Sequence, residues 1–262
     1  MSTAKTLFGQ GARIVGLGLL FYAGVSFVGA YFAENATGAA VLQAVLAEWG
    51  AGRLGITWSD SNAKQPTIAA IARRAARGAS MGLTAAVVVL GFALLTRAAR
   101  LAPNTPALVP VLVGVAVPAF VAMKDELLFR GLVLRLLPAS TPAPFALLAC
   151  GLSSAAAAMG AGAKTIPEVA AAALGGVAFG ALWRRDRGAW MAWGAHTAWL
   201  WASGPLAHGG IIDVRAALTP WGGGDAGLGA GWASVAALVP VAGVAAYLAY
   251  AADKSAKPIF AD

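Results

Sequence analysis

Apolar residues in this chain run in long blocks, and polar residues gather in the gaps between them. A block of about 20 apolar residues crosses a bilayer as a helix. Seven such blocks are expected, over residues 12–32, 80–95, 107–123, 145–159, 167–183, 189–206 and 232–251. Lys5 and Arg13 precede the first, but that block exceeds the apolar core of a typical signal peptide, so a retained helix is expected. Residues 34–77 are the least apolar part. Within them, residues 39–49 show helical spacing and predict a short interfacial helix or a partial span, which would change the span count by one. Ser59-Asp60-Ser61-Asn62 predicts a turn or helix cap. The third block continues without a breaker to Leu137, and Pro138, Pro142 and Pro144 end it. Pro167 opens the fifth block, a favoured first helical position. A glycine-rich loop over residues 209–231 precedes the last block. The expected fold is all-α: a polytopic transmembrane bundle of about seven spans, forming a single membrane domain over residues 1–262.

Composition narrows the class further. The hydrophobic class makes up 59% of the chain and charged residues only 11%, against about 25% charged in soluble domains. Thirty charges could not cover a soluble protein of this size, which excludes an ordinary cytosolic enzyme and a disordered chain. The net charge of +8 does not point to nucleic acid, because the cations sit at the ends of apolar blocks. With seven spans, 13 cations fall on one side and 6 on the other. The positive-inside rule then puts the 13-cation side, with the C-terminus, in the cytoplasm. Trp183, Trp190, Trp221 and Trp232 fall near block ends, where interface tryptophans belong. The single Cys150 excludes an internal disulfide and reads as a packed thiol. Gly176 and Gly180 fit a helix-packing face.

Ionisable residues inside an apolar bundle are costly and mark function. Two places qualify: Asp125, Glu126 and Arg130 in the third block, and His196 in the sixth. On a helix Glu126 and Arg130 are i,i+4 neighbours and can pair, while Asp125 points about 100° away. Arg130 can then neutralise one carboxylate and leave the other facing a cavity. A carboxylate can activate water, and an imidazole can donate to a developing oxyanion or leaving amine. Helix-end ion pairing and a structural histidine are the plain alternatives. Glu168 suits a helix start, His208 lies at or beyond the sixth block's end, and Ser153 and Ser154 can bond to their own helix. No Gly-x-Ser-x-Gly, phosphate-loop or His-Glu-x-x-His pattern is present.

Asp125-Glu126-Leu127-Leu128-Phe129-Arg130-Gly131 resembles the Glu-Glu-x-x-x-Arg-Gly signature of the CPBP intramembrane proteases, the CAAX proteases and bacteriocin-processing enzymes. Leu174-Gly175-Gly176, Phe179-Gly180-Ala181-Leu182-Trp183, Trp190 and Gly194-Ala195-His196 resemble that family's last block. The resemblance covers residues 113–201 within a core of about 107–207. It implies a glutamic-type hydrolase whose candidate catalytic residues are Asp125, Glu126, Arg130 and His196. It also implies a multi-pass protein of a bacterial inner membrane, acting on a membrane-anchored protein or peptide near its C-terminal anchor. A myxosortase-like branch would act on C-terminal sorting anchors. The chain departs from the pattern at three points. Asp125 replaces the first Glu, the fourth block lacks the Phe-x-x-x-His histidine, and Leu200 stands where Asn is expected. A catalytically inactive protein that binds peptides or partners is therefore the alternative. A transporter would need more buried polar groups. The acids and His196 form no closed zinc-type set, and no cofactor is expected.

The charge bias predicts that the 184–187 turn and the C-terminal end of the motif helix share the cytoplasmic face. A cysteine placed at Arg185 should resist membrane-impermeant maleimide in intact cells. Strong external labelling would reverse the orientation.

Overall fold

Glycine, alanine and proline shape this chain more than its large apolar side chains do. The computed structural model describes residues 2–32, 34–59, 66–106, 108–137, 141–208, 210–224 and 227–255. The helices are α1 (Ser2–Tyr31), α2 (Ala36–Arg53), α3 (Ile68–Leu95), α4 (Leu108–Val113), α5 (Ala116–Asp125), α6 (Leu132–Leu136), α7 (Ala143–Gly160), α8 (Ile166–Asp186), α9 (Trp190–Trp201) and α10 (Trp232–Ser255). Local chemistry sets several starts. The Asn35 side chain accepts from Gly38 N–H at 2.8 Å and caps α2. Thr165 caps α8, with Pro167 in the first turn and Glu168 accepting the Lys164 N–H at 2.9 Å. Asp60, Ser61 and Asn62 of the expected turn, Pro138 of the expected helix end and the last residues of the tail lie outside the described residues.

Among the described residues, four helices are long and apolar enough to cross a membrane: α3, α7, α8 and the 232–252 part of α10. These match the second, fourth, fifth and seventh expected blocks, so the count of seven is not reached on length and composition. The first block carries a shorter apolar helix, Gly16–Tyr31. The third is broken between α4 and α5 and then widens into a π turn, Glu126–Gly131, before α6. The sixth ends as α9 and passes into a second π turn, Ala202–Leu206, that contains Pro205. Proline has no N–H to donate to the preceding turn, so the regular ladder cannot continue there. The 39–49 segment is helical, as expected, and longer. It belongs to α2, whose Ala40, Ala44, Ala47 and Ala51 are buried and which packs on α1 and α5.

The 209–231 loop is also more ordered than its glycines imply. It contributes β2 (Asp213–Ala216), which pairs antiparallel with β1 (Ala99–Ala102), Arg100 opposite Arg215. Strands of four residues are the shortest that alternation can signal. This small sheet lies at the α3 C-terminal end of the bundle.

Backbones touch where α3 crosses α9. A Cβ added at Gly78 would collide with the Met191 carbonyl, one at Gly82 with the Ala195 carbonyl, and one at Gly194 with the Ala75 carbonyl. Small residues permit such approach between membrane helices. Gly176 and Gly180 of α8 likewise lie against Cys150 of α7, Gly176 also against Ser154. The main apolar cluster gathers Val25, Ala47, Ile56, Leu127, Leu128, Trp183, Met191 and Ala195. It therefore surrounds the π turn of the third block.

Gly82→Leu should force α3 from α9, costing at least the ~1–3 kcal/mol of overpacking because the obstacle is backbone. Gly91, with open space around it, is the control. Thermal unfolding in detergent should show a lower Tm for Gly82→Leu and an unchanged one for Gly91→Leu.

Candidate active site

The π turn at Glu126–Gly131 carries three of the four candidate residues on or beside it. Leu132 N–H reaches back five residues to the Leu127 carbonyl, the wider spacing that defines such a turn. π turns concentrate at functional sites because the inserted residue re-aims side chains. The turn is tied to α7 by Ser153, whose Oγ–H donates to the Phe129 carbonyl at 2.8 Å and lies 3.2 Å from the Cys150 carbonyl of its own helix.

His196 arrives from the opposite side. The glycine crossing fixes α9 against α3, and two tryptophans fix it to α4 and α5 of the third block. Trp193 Nε1 donates to the Ala119 carbonyl at 2.9 Å. Trp201 Nε1 donates to the Val111 carbonyl at 2.8 Å, near the end of α4, where carbonyls lack helical partners.

These constraints bring Glu126, Arg130 and His196 together. Glu126 is fully buried, with 0% exposure, and Arg130 and His196 are 4% and 6% exposed. Glu126 Oε1 lies 2.9 Å from His196 Nδ1 and 3.7 Å from Arg130 Nη1. The same Nη1 donates to the Asp125 carbonyl at 3.2 Å. Phe179 of α8 forms the third wall. Its ring stacks on His196 at 4.4 Å and 19°, and the Arg130 guanidinium lies 5.4 Å from its centre. Arg130 thus meets a carboxylate, a carbonyl and an aromatic face. Among the described residues, Glu126 Oε2 and Arg130 Nε have no hydrogen-bond partner.

Asp125 occupies a different environment. It lines a cavity of about 1240 Å³, together with Lys124, Arg130, Ser154, Phe179 and His196. Lys124 Nζ is 3.1 Å from its Oδ1. The cavity walls come from α1, α3, α7, α8 and α10 and are predominantly apolar. Glu126 stands behind Arg130 and His196 rather than on the wall.

The remaining candidates separate. His208 is exposed, with Nδ1 3.2 Å from the Gly204 carbonyl of its own turn. The Ser154 hydroxyl is buried, packed against Gly176, and has no hydrogen-bond partner among the described residues. Among the described residues no group of three or more His, Cys, Asp or Glu is placed to hold a metal. Sequence reading gave no role to Phe179, to the Lys124–Asp125 pair or to Ser153 as a tie to Phe129. It also passed over Gly78-x-x-x-Gly82, whose spacing was the available signal for the α3–α9 crossing.

Residues 106–202 match the family model for Rce1-like proteins, type II CAAX prenyl endopeptidases. This segment begins just before α4 and ends at the second π turn, so it contains the whole constellation. The motif resemblance to the CAAX-type intramembrane proteases thus holds over that segment. With four helices long and apolar enough to span, the protein is an integral membrane protein. Comparison with curated proteins gave no match, and comparison with solved structures gave none.

Arg130→Met should strand Glu126 as an uncompensated buried charge, at a cost of roughly 3–5 kcal/mol. Adding Glu126→Gln should restore much of that loss, since neither charge then remains. Unfolding of the wild type, both single variants and the double variant in detergent would measure the coupling. Additive losses would show that the two side chains do not interact.

Proposed function

We propose that the chain is an intramembrane endopeptidase that cuts a membrane-anchored protein near its C-terminal anchor. The observation that carries this reading is a buried carboxylate–imidazole contact, Glu126 to His196 at 2.9 Å, next to a large apolar cavity that Asp125 also lines. The Rce1-like family assignment of residues 106–202 supports a protease that works on membrane proteins.

In this reading Asp125, on the cavity wall, takes a proton from water as its oxygen attacks the scissile carbonyl carbon. The tetrahedral intermediate carries a negative oxygen. His196 stabilises that oxygen or donates a proton to the amide nitrogen as the C–N bond breaks, giving a free acid and an amine. Glu126 accepts from Nδ1–H, which fixes the ring and leaves Nε2 as the nitrogen that acts, as a buried carboxylate does for a catalytic histidine. Arg130 neutralises Glu126 and holds the Asp125 backbone. Glu126 and Arg130 are therefore positioning residues. Ser153 supports the turn that carries them. Seven spans, a cytoplasmic C-terminus and a bacterial inner-membrane location complete the proposal.

Two observations favour the alternative of a non-catalytic binding protein. Glu126 has no exposed surface, and Asp125 is paired with Lys124, so both acids are engaged. The two readings part in cells. Asp125→Asn, Glu126→Gln and His196→Ala should all keep their expression level. His196→Ala and at least one carboxamide variant should lose processing of a C-terminal anchor by about 10²–10⁴-fold, the usual worth of a general acid or base. Processing that persists in all three would leave the binding protein as the account.

A further inference from the structure

Two distant segments carry arginines to one end of the bundle. The first turns of α3 hold Arg73, Arg74 and Arg77, and the end of α8 with its turn holds Arg185 and Arg187. Arg74 Nε lies 3.5 Å from Asp186 Oδ1, which joins the two segments. Asp186 also accepts the Met191 N–H at 3.4 Å, and Arg187 takes a left-handed conformation, φ +51°, that reverses the chain into α9. Arg73, Arg77, Arg185 and Arg187 are exposed. The Asp186 side chain is only 7% exposed and paired with Arg74; its charge also acts on Arg77 and Arg185, so one carboxylate stands against five guanidinium groups.

Length places this patch against the membrane. α3 has 28 residues, about 42 Å at a rise of 1.5 Å per residue, against a hydrocarbon core of ~30 Å. About 12 Å of helix, roughly eight residues, must stand outside that core. The three arginines sit within the first ten residues of α3, so it is this end that emerges. The tryptophans agree. Trp58 and Trp190 stack at 4.4 Å, and the Trp58 carbonyl accepts the Ala189 N–H at 2.9 Å beside the same turn. Paired tryptophans belong at headgroup level.

We propose that Arg73, Arg77, Arg185 and Arg187 form a binding surface for the phosphodiester headgroups of anionic phospholipid. The guanidinium fork matches phosphate oxygens two at a time. Polybasic clusters beside a span attract anionic lipid over a distance of about a Debye length. The surface is assembled by tertiary structure rather than by one run of sequence, and it does not depend on the hydrolase reading.

The test uses the full chain in bilayers containing trace spin-labelled phosphatidylglycerol or phosphatidylcholine. The fraction of label immobilised by the protein gives the relative affinity. The wild type should prefer phosphatidylglycerol by at least about fivefold. The Arg73→Gln, Arg77→Gln, Arg185→Gln, Arg187→Gln variant should show a preference near one. An Arg97→Gln, Arg100→Gln, Arg215→Gln variant at the opposite end should retain the wild-type preference. Because a quadruple variant can misfold, salt provides a second reading. About 0.5 M salt should collapse the wild-type preference, since exposed charges are then screened within a few ångströms. The proposal is overturned by absence of preference in the wild type, by full preference in the quadruple variant, or by equal loss in the opposite-end variant. Loss of preference on adding millimolar inorganic phosphate at constant ionic strength would also overturn it, by making the surface a site for free phosphate.

Discussion

A carboxylate with no exposure must be met by positive charge or hydrogen-bond donors, and the candidate site is built around that requirement. Glu126 satisfies it with Arg130 from its own turn and His196 from α9. Both partners are themselves buried, so each in turn needs support. Arg130 finds the Asp125 carbonyl and the Phe179 face. His196 finds Phe179 as well. The glycine crossing of α3 and α9 and the two tryptophan bonds from α9 to α4 and α5 then become conditions for the charge cluster.

This arrangement divides the two acids by environment. Asp125 and Glu126 are adjacent in sequence, yet one lines the cavity and the other stands behind Arg130 and His196. Apolar walls keep the local dielectric low, which strengthens each remaining electrostatic contact.

The site's residue types were legible in sequence because charge inside an apolar block is conspicuous. Asp125, Glu126, Arg130 and His196 could be singled out for that reason alone, and i,i+4 spacing gave the Glu126–Arg130 pair. The π turn was not legible, since one extra residue per turn alters no apolar block. The α3–α9 crossing was written in Gly78 and Gly82, but glycine is so common here that two at the right spacing carried little signal. Among the described residues, length and composition support four of the seven expected spans, and the others fall where helices are interrupted or short. Pro205 and the break before Val115 shorten segments that hydropathy alone reads as continuous. β1 and β2 escaped because β1, Ala-Arg-Leu-Ala, does not alternate and the polar–apolar alternation of β2 lasts only four residues, the shortest run that signals a strand.

The most direct measurement of this account is the protonation of the His196 ring. The chain has two histidines, so uniform ¹⁵N-histidine labelling gives a spectrum that His196→Ala assigns. The account predicts a proton on Nδ1, held in a hydrogen bond, and a marked shift of that nitrogen in Glu126→Gln. A bare Nδ1, or a resonance that Glu126→Gln leaves unmoved, would contradict it.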